Sequence, residues 1–388
     1  MRKRRMITFT AAVCILACMV LTLFAGSARC AQKKDERRGY LRDSCGPYLT
    51  LGGLAEYQRW GKPDVDNRYL GAERCPDKPP GWDGKLSKYE LASIRSAGES
   101  VNRFAFDMYE LLSHETGGNI LFSPYDLAMT LMKHYKTSDA KTKKELHRAL
   151  YLDKDSPVNF WLLASAIENT PEDIGGFRSS GGVTYFKSDW EFPFDRYEGD
   201  KTSNPCFQTI FHQTEALSYP MYVMRQDQRV RYCEDGEVKS FEFPFIDRYY
   251  SYIVILPQRK HGVREIESKL SFGRFKYLLA NQRDRNIEVR LAETKVSSSY
   301  DFGGRLAMLG LSSLADTRPR QINKFDLYGG EQLRASSNTW RVLRLWSPVP
   351  TEDPFNVDRS FKPDHPFIYF VVDNRSGVIM FMGRYSGE

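Results

Sequence analysis

The sequence predicts an α+β fold, with helices first and a mostly antiparallel system of β-sheets after them. The chain has 388 residues, of which 41% are hydrophobic and 27% are charged, a composition typical of a globular protein with one large domain. Helical periodicity runs from Glu99 to Leu150, whereas β-branched and aromatic runs dominate from Val183 onward. Helices grouped before strands indicate the α+β class.

Residues 1–28 have the order of a secretory signal. The basic start MRKRR is followed by an apolar run from Met6 to Gly26 and by small residues up to Ala28. We expect cleavage near Ala28 and secretion of the chain. Because the apolar run is longer than an ordinary signal core, an uncleaved membrane anchor with the domain outside the cell is the alternative.

The formal net charge of +7 includes the four basic residues of MRKRR, so it is not taken as a sign of nucleic-acid binding.

Residues 29–97 are predicted to form an irregular N-terminal extension. They contain charged and turn-rich runs such as KKDERR, GKPDVDN and PDKPPGWDG, and they show no sustained helical or strand periodicity. One interpretation is a flexible leader held by a single disulfide. The other is a binding segment that uses Tyr48, Trp60 and Trp82.

Five cysteines lie beyond the predicted signal, and both interpretations of that signal place them in an oxidising compartment. A bond between Cys45 and Cys75 would close a loop in the extension, and one between Cys206 and Cys233 would close a loop in the main domain. The sequence does not fix the connectivity. No cysteine or histidine cluster has the spacing of a zinc site, and we expect neither metal nor cofactor.

Residues 98–388 are predicted to form the folded domain. Its first helix begins at Glu99 and ends at a Gly-Gly pair, Gly117 and Gly118. Its apolar face consists of Val101, Phe104, Ala105, Met108, Leu111 and Leu112.

A short strand over residues 119–122 follows this first helix. A second helix starts with Ser123 as N-cap and Pro124 as first residue and continues to Tyr135, and another helix covers Thr142 to Leu150.

Later strands are predicted from runs of β-branched and aromatic residues. They lie at residues 183–186, 231–243, 252–256, 287–292 and 368–382. Helices are predicted around residues 263–280 and 302–309.

Five ordered stretches resemble the serpin family, a family of serine protease inhibitors. They are GGNILFSP at 117–124, YFKSDWEFPFD at 185–195, YIVILP at 252–257, LAETKVSSSYDFGGRLAMLGLSSLAD at 291–316, and FKPDHPFIYFVVDNRSGVIMFMGR at 361–384. The resemblance implies a serpin-like α+β fold. It also implies a mechanism in which a protease cuts an exposed reactive loop, which then inserts as a new strand into the main sheet and carries the protease with it.

The reactive-loop interval departs from the family pattern. Residues 339–367 lack the family's Glu-Gly-Thr hinge and alanine run, and only 15 residues from Trp346 to Ser360 are expected to form the loop. Proline removes a ladder donor and fixes φ, so it opposes insertion as a central strand. The remnant of the reactive loop is assigned to Arg344, Trp346, Pro348, Pro350, Pro354 and Arg359.

Two further departures concern the sheet that must open. Only residues 152–182 precede the YFKSDW strand, where the family places several helices and two sheet strands, so part of the helical region and main sheet is predicted to be missing. In the family a serine, an asparagine and a histidine join this sheet to the helix beneath it. The resemblance places these sheet-gating positions at Asp126, Gly182 and Trp340, which are all changed, whereas Ser123 and Trp190 at nearby positions are retained.

A basic cluster around the second helix is the candidate site for an acidic polysaccharide or another acidic ligand; the alternative is a solvated helix face. The cluster consists of Lys133, Lys136, Lys141, Lys143, Lys144 and Arg148.

The Asn374-Arg375-Ser376 sequon is a candidate glycosylation site in a turn between the last two strands, and His365 is interpreted as structural.

No catalytic motif was found in the sequence, including the GxSxG, HExxH and phosphate-loop patterns. The missing motifs argue against an enzyme, and the short, proline-rich loop without the family's hinge argues against inhibition. We therefore expect a monomeric, secreted, non-inhibitory serpin that acts by binding. The alternative is a working extracellular inhibitor of a serine protease.

Overall fold

The structure is a computed structural model that describes residues 86–170, 175–180, 183–192, 194, 208–292, 294–317, 319–327 and 360–387. Helices in this part of the chain are α1 (Lys88–Glu115), α2 (Pro124–Tyr135), α3 (Ala140–Ala149), α4 (Ser156–Glu168), α5 (Val263–Lys269), α6 (Phe272–Ala280), α7 (Gly303–Met308) and α8 (Ser312–Ala315). Strands are β1 (Ile120–Phe122), β2 (Gly176–Ser180), β3 (Val183–Lys187), β4 (Gln208–His212), β5 (Ser218–Glu234), β6 (Val238–Pro244), β7 (Tyr250–Pro257), β8 (Arg283–Ala292), β9 (Thr294–Asp301), β10 (Arg320–Leu327), β11 (Ser360–Phe361), β12 (Phe367–Asp373) and β13 (Ile379–Tyr385).

Helix α1 begins at Lys88, eleven residues before the predicted start at Glu99. Ser87 and Glu90 form a capping box, in which the Ser87 amide donates to Glu90 Oε2 at 2.7 Å and the Glu90 amide donates to Ser87 Oγ at 3.2 Å. Ile94 and Ala97, which both precede Glu99, are buried. The prediction that residues 29–97 are irregular is therefore wrong for residues 88–97, where a cap and an apolar face make a helix.

The larger sheet has the strand order β1-β13-β12-β7-β6-β5-β8-β11, and β4 pairs with β5 outside this path. Its pairings are antiparallel apart from the short parallel contact of β11 with β8. Strands β7, β12 and β13 are buried along their whole length, which explains their near-continuous apolar sequence. The expected mostly antiparallel α+β architecture is confirmed.

The smaller sheet has the order β2-β3-β10-β9. Its central pair, β3 and β10, is parallel, and both outer pairs are antiparallel. Between α3 and β3 the described chain contains one helix, α4, and one strand, β2. This is less than the several helices and two strands of the family, so the predicted reduction of the helical region and main sheet is confirmed.

Helix α1 is joined to the turn between β12 and β13 by a buried asparagine. The Asn102 side chain is 1% exposed; its Nδ2 donates to the Gly377 carbonyl oxygen at 2.8 Å, and its Oδ1 accepts from the Ile379 amide at 2.8 Å. A buried amide that satisfies both its donor and its acceptor fixes the register of the helix over the sheet.

Asn374 lies in the turn between the last two strands, as predicted, but its side chain is not available for a glycan. It is 3% exposed, and its Nδ2 donates to the Arg248 carbonyl oxygen at 2.8 Å and to Ser251 Oγ at 2.9 Å. The glycan would have to be attached to this same nitrogen. A glycan on this nitrogen would break both hydrogen bonds, so the folded structure disfavours the predicted glycosylation at Asn374.

No helix in the described ranges is both long enough and apolar enough to cross a bilayer.

Candidate functional site

The candidate site is the polar network that joins the smaller sheet to the N-terminus of α2. Ser123 caps α2 by accepting from the Asp126 amide at 3.2 Å. Gln321 of β10 makes three hydrogen bonds to this cap. Its Oε1 accepts from the Ser123 amide at 3.1 Å, and its Nε2 donates to the Ser123 carbonyl oxygen and to Asp126 Oδ2, each at 2.9 Å. Ser179 of β2 donates to Asp126 Oδ1 at 2.8 Å.

A second set of bonds connects the two central strands with each other and with β9. Thr184 Oγ1 on β3 donates to Asn323 Oδ1 on β10 at 2.6 Å, and both side chains are fully buried. Asn323 Nδ2 then donates to Ser298 Oγ of β9 at 3.2 Å, and the Ser298 hydroxyl donates to the Leu121 carbonyl oxygen. Buried side-chain hydrogen bonds thus join β3, β10 and β9, three of the four strands of the smaller sheet.

The structure brings together only two of the five predicted gating positions, Ser123 and Asp126. Gly182 and Trp340 lie outside the described residues, so their roles stay predictions. The strand that lies over α2 is β10, and its residues Gln321 and Asn323 were missed. The alternation of these polar residues with Ile322 and Lys324 is the sequence signal that could have shown one buried polar face.

Trp190 follows β3, three residues after its last residue Lys187. It is 3% exposed and stacks on Phe245, with ring centroids 4.6 Å apart and planes inclined by 15°. A backbone bridge also joins Trp190 to Phe245, directly after β6 of the larger sheet. Burial raises the pKa of the neighbouring Asp189 carboxyl, while the charge of Lys187 acts in the opposite direction. Trp190 therefore fixes the end of β3 against the larger sheet.

We predict that Thr184→Val loosens the β3–β10 pair. Valine has the shape of threonine but no hydroxyl, so Asn323 Oδ1 stays buried without its donor, which costs about 1–3 kcal/mol. Chemical denaturation measures this loss, and hydrogen exchange should become faster in β3 and β10. Thr184→Ser is the matched control because it keeps the donor. Equal stability of the valine and serine variants would contradict the prediction.

The predicted reactive-loop residues Arg344, Trp346, Pro348, Pro350, Pro354 and Arg359 lie outside the described residues. The short-loop prediction assumed that the preceding strand runs to about Trp346. The described part of that strand, β10, ends at Leu327 and β11 begins at Ser360, so residues 328–359, 32 in number, separate the two. These residues, which include the predicted loop, lie outside the described residues, so the short-loop prediction stays a prediction.

His365 lies in the segment between β11 and β12 and has a structural environment, as predicted. It is 5% exposed, its Nε2 lies 2.8 Å from the Pro257 carbonyl oxygen, and its Nδ1 lies 2.7 Å from Asp364 Oδ1. Burial raises the pKa of Asp364, but the hydrogen bond and charge of His365 outweigh it, and the pKa is lowered overall. In the described ranges, no group of three or more His, Cys, Asp or Glu side chains could hold a metal ion.

The basic cluster lies on one region formed by α2 and α3. All its members except Lys143 are exposed; Lys143 is half-buried with its ammonium 5.8 Å from the centre of the Tyr135 ring. Glu145, which lies 3.9 Å from Lys141, also accepts from the Ser313 amide and so links α3 to α8. The region is a basic surface.

Cys233 is buried on β5, and burial raises the pKa of its thiol. Its predicted partner Cys206, like Cys45 and Cys75, lies outside the described residues, so both disulfides stay predictions.

Comparison with known proteins gives consistent matches. A family model described as Serpin (serine protease inhibitor) matches residues 99–175 and 182–326. An uncharacterized serpin-like protein of Thermococcus kodakarensis is 23% identical over 372 residues, covering 74% of this chain and 84% of that protein. Leukocyte elastase inhibitor of Xenopus laevis is 20% identical over 382 residues, covering 76% of this chain and 100% of that protein. Serpin H1 of Mus musculus is 23% identical over 336 residues, covering 77% and 75%.

Solved structures show the same fold. Uncleaved ovalbumin matches with a TM-score of 0.59 at 15% identity, covering 75% of this chain and all of that one. Maspin matches with a TM-score of 0.63 at 16% identity, covering 76% of this chain and all of that one. The family model covers more than half of the sequence, and the fold agrees with it. The chain therefore belongs to the serpin family.

Proposed function

We propose that this protein is a secreted serpin that acts by binding and does not trap proteases. If the loop that follows β10 folds back and inserts beside it, the inserted strand runs antiparallel to β10. For this strand to be antiparallel to its other neighbour as well, that neighbour must be parallel to β10. In the described part of the smaller sheet, the directly paired strands β3 and β10 have this parallel arrangement. Loop insertion would therefore have to separate these two strands.

The observation that carries the proposal is the buried side-chain hydrogen bond between β3 and β10. Thr184 and Asn323 face each other in register, and Asn323 is also bonded to β9, while Gln321 ties β10 to Ser123 and Asp126 of α2. An inserting strand would break the Thr184–Asn323 bond and would have to supply replacement partners to both side chains. Pro348, Pro350 and Pro354 of the predicted loop supply no backbone donor.

The ligand that the surface favours is an acidic polymer, such as a sulfated polysaccharide. Lys133, Lys136, Lys141, Lys144 and Arg148 are exposed on or beside α2 and α3, and two carboxylates, Asp139 and Glu145, lie near them. Such a surface binds through charge and weakens as salt increases. We place the protein outside the cell as a monomer, with residues 1–28 acting as a cleaved signal, disulfides among the remaining cysteines, and no catalytic activity.

The test is incubation of the mature protein with trypsin-, chymotrypsin- and elastase-like serine proteases. We expect cleavage within residues 328–359, no covalent complex on a denaturing gel, and no rise in melting temperature after cleavage. A sulfated polysaccharide should raise the melting temperature of the uncleaved protein at low salt and not at high salt. A covalent complex with a large rise in melting temperature would instead establish the alternative, an active serine protease inhibitor.

A further inference from the structure

Helix α4 is apolar on all sides, although one of its faces is exposed. Its sequence, SPVNFWLLASAIE, has no charged residue before Glu168 at its end. Phe160, Leu163 and Ile167 form the inner face and are buried in the core, where α4 packs against α1. On the outer face Val158 is 53% exposed and Trp161 is 67% exposed. A helix that is apolar all round is normally covered on both sides.

The outer face of α4 has no charged residue between its ends, and its polar residue near Trp161 is the half-buried Ser165. Lys154 and Asp155 are exposed before the helix, and Glu168 and Asn169 are exposed at its end. An apolar centre with an aromatic anchor and a polar rim is the usual composition of a contact surface.

The N-terminal extension joins the domain at α1, the helix that packs against α4. The chain enters α1 through the Ser87 cap, α1 packs against α4, and Tyr89 in the first turn of α1 is itself 67% exposed. The extension before this point contains one stretch suited to an apolar surface, residues 46–60, with the sequence GPYLTLGGLAEYQRW. It carries only Glu56 and Arg59 as charges and offers Tyr48, Tyr57 and Trp60 as aromatic anchors.

The length of the connection is compatible with contact. Residues 61–85 lie between this stretch and the start of the described chain. As a random coil they would span about 28 Å, and fully extended about 80 Å, whereas α4 is about 20 Å long. Because the stretch is on the same chain, its binding is favoured by a high effective concentration.

We propose that residues 46–60 of the N-terminal extension bind to the outer face of α4, with Trp161 at the centre of the contact. In this arrangement the extension shields the apolar outer face of α4, which is exposed in the described part of the chain.

The experiment is photo-cross-linking in the full secreted chain with p-benzoylphenylalanine in place of Trp161. We expect an intramolecular cross-link to the tryptic peptide of residues 43–59, identified by mass spectrometry. Tyr277 of α6, which is 53% exposed on another helix, is the matched control position and should not cross-link to this peptide. Cross-links between two chains, equal cross-linking from position 277, or none to residues 29–85 would overturn the proposal.

Trp161→Asp gives a second readout. The side chain is exposed, so the variant should fold, but a charge in the centre of the contact should release the extension. We expect trypsin cleavage after Arg59 to become about tenfold faster, equivalent to the loss of roughly 1.4 kcal/mol of docking free energy. Tyr277→Asp is the control. Unchanged cleavage rates in Trp161→Asp would count against the contact.

Discussion

Glu267→Gln should lower the free energy of unfolding by about 3–5 kcal/mol, because it leaves a fully buried arginine without its counter-charge. Arg384 is 0% exposed and donates to both oxygens of Glu267, at 2.7 and 2.8 Å. Tyr109 donates to the same carboxylate at 2.8 Å. The remaining donors of Arg384 bind the carbonyl oxygens of Thr116 and Gly118, so the cluster fixes the end of α1 to β13 and α5.

The control for this substitution is Glu265→Gln on the same helix. Glu265 is half exposed and pairs with Lys269 at 3.0 Å, and exposed pairs contribute little to stability. Urea denaturation of both variants should show a large shift of the midpoint for Glu267→Gln and almost none for Glu265→Gln. Similar shifts for the two variants would show that the buried cluster is not a special source of stability.

Gly383→Ala should destabilise the protein by more than about 3 kcal/mol, because β13 has no room for a side chain at this position. Gly383 faces Leu121 of β1 on one side and Tyr369 of β12 on the other. A Cβ atom there would press against the Ile120 carbonyl oxygen and lie 2.6 Å from the Tyr369 ring. Backbone atoms cannot move aside cheaply, so β1 or β12 would have to shift away.

Gly304→Ala is the matched control. Gly304 is in α7, and a Cβ there would meet nothing within 4 Å. Alanine favours helix over glycine by up to about 1 kcal/mol, so this variant should be slightly more stable. Thermal unfolding would therefore move in opposite directions for the two alanine variants, and a mild effect at Gly383 would argue against the tight packing of the three strands.

Local signals in the sequence were sufficient for many elements. Ser123 and Pro124 predicted the start of α2, and the structure confirms both the cap and the first residue. The helix predicted over Thr142–Leu150 is α3, and the apolar run at 368–382 contains most of β12 and β13. The start of α1 was also readable, since Ser87 and Glu90 have the spacing of a capping box.

Helix α4 was not predicted because its apolar residues are on all faces, so the contrast on which helical periodicity depends is absent. The polar network of the smaller sheet was missed for another reason. Thr184 and Asn323 are 139 residues apart in sequence, and only the pairing of β3 with β10 brings them into contact. The buried Arg384–Glu267 pair is likewise a long-range contact, across 117 residues. Such partners follow from the packing of distant strands and helices and have no local signal.

The position of β12 and β13 in the larger sheet has a consequence for biosynthesis. β1 pairs with β13, and β7 pairs with β12, so the hairpin of the two late strands separates elements that are made much earlier. Until residues 367–385 have left the ribosome, β1 has no partner in the larger sheet and β7 has an open edge. A nascent chain of this protein therefore carries the apolar strand β1 without its partner for most of its synthesis, and β7 with an open edge for the last third, both of which are liable to aggregation.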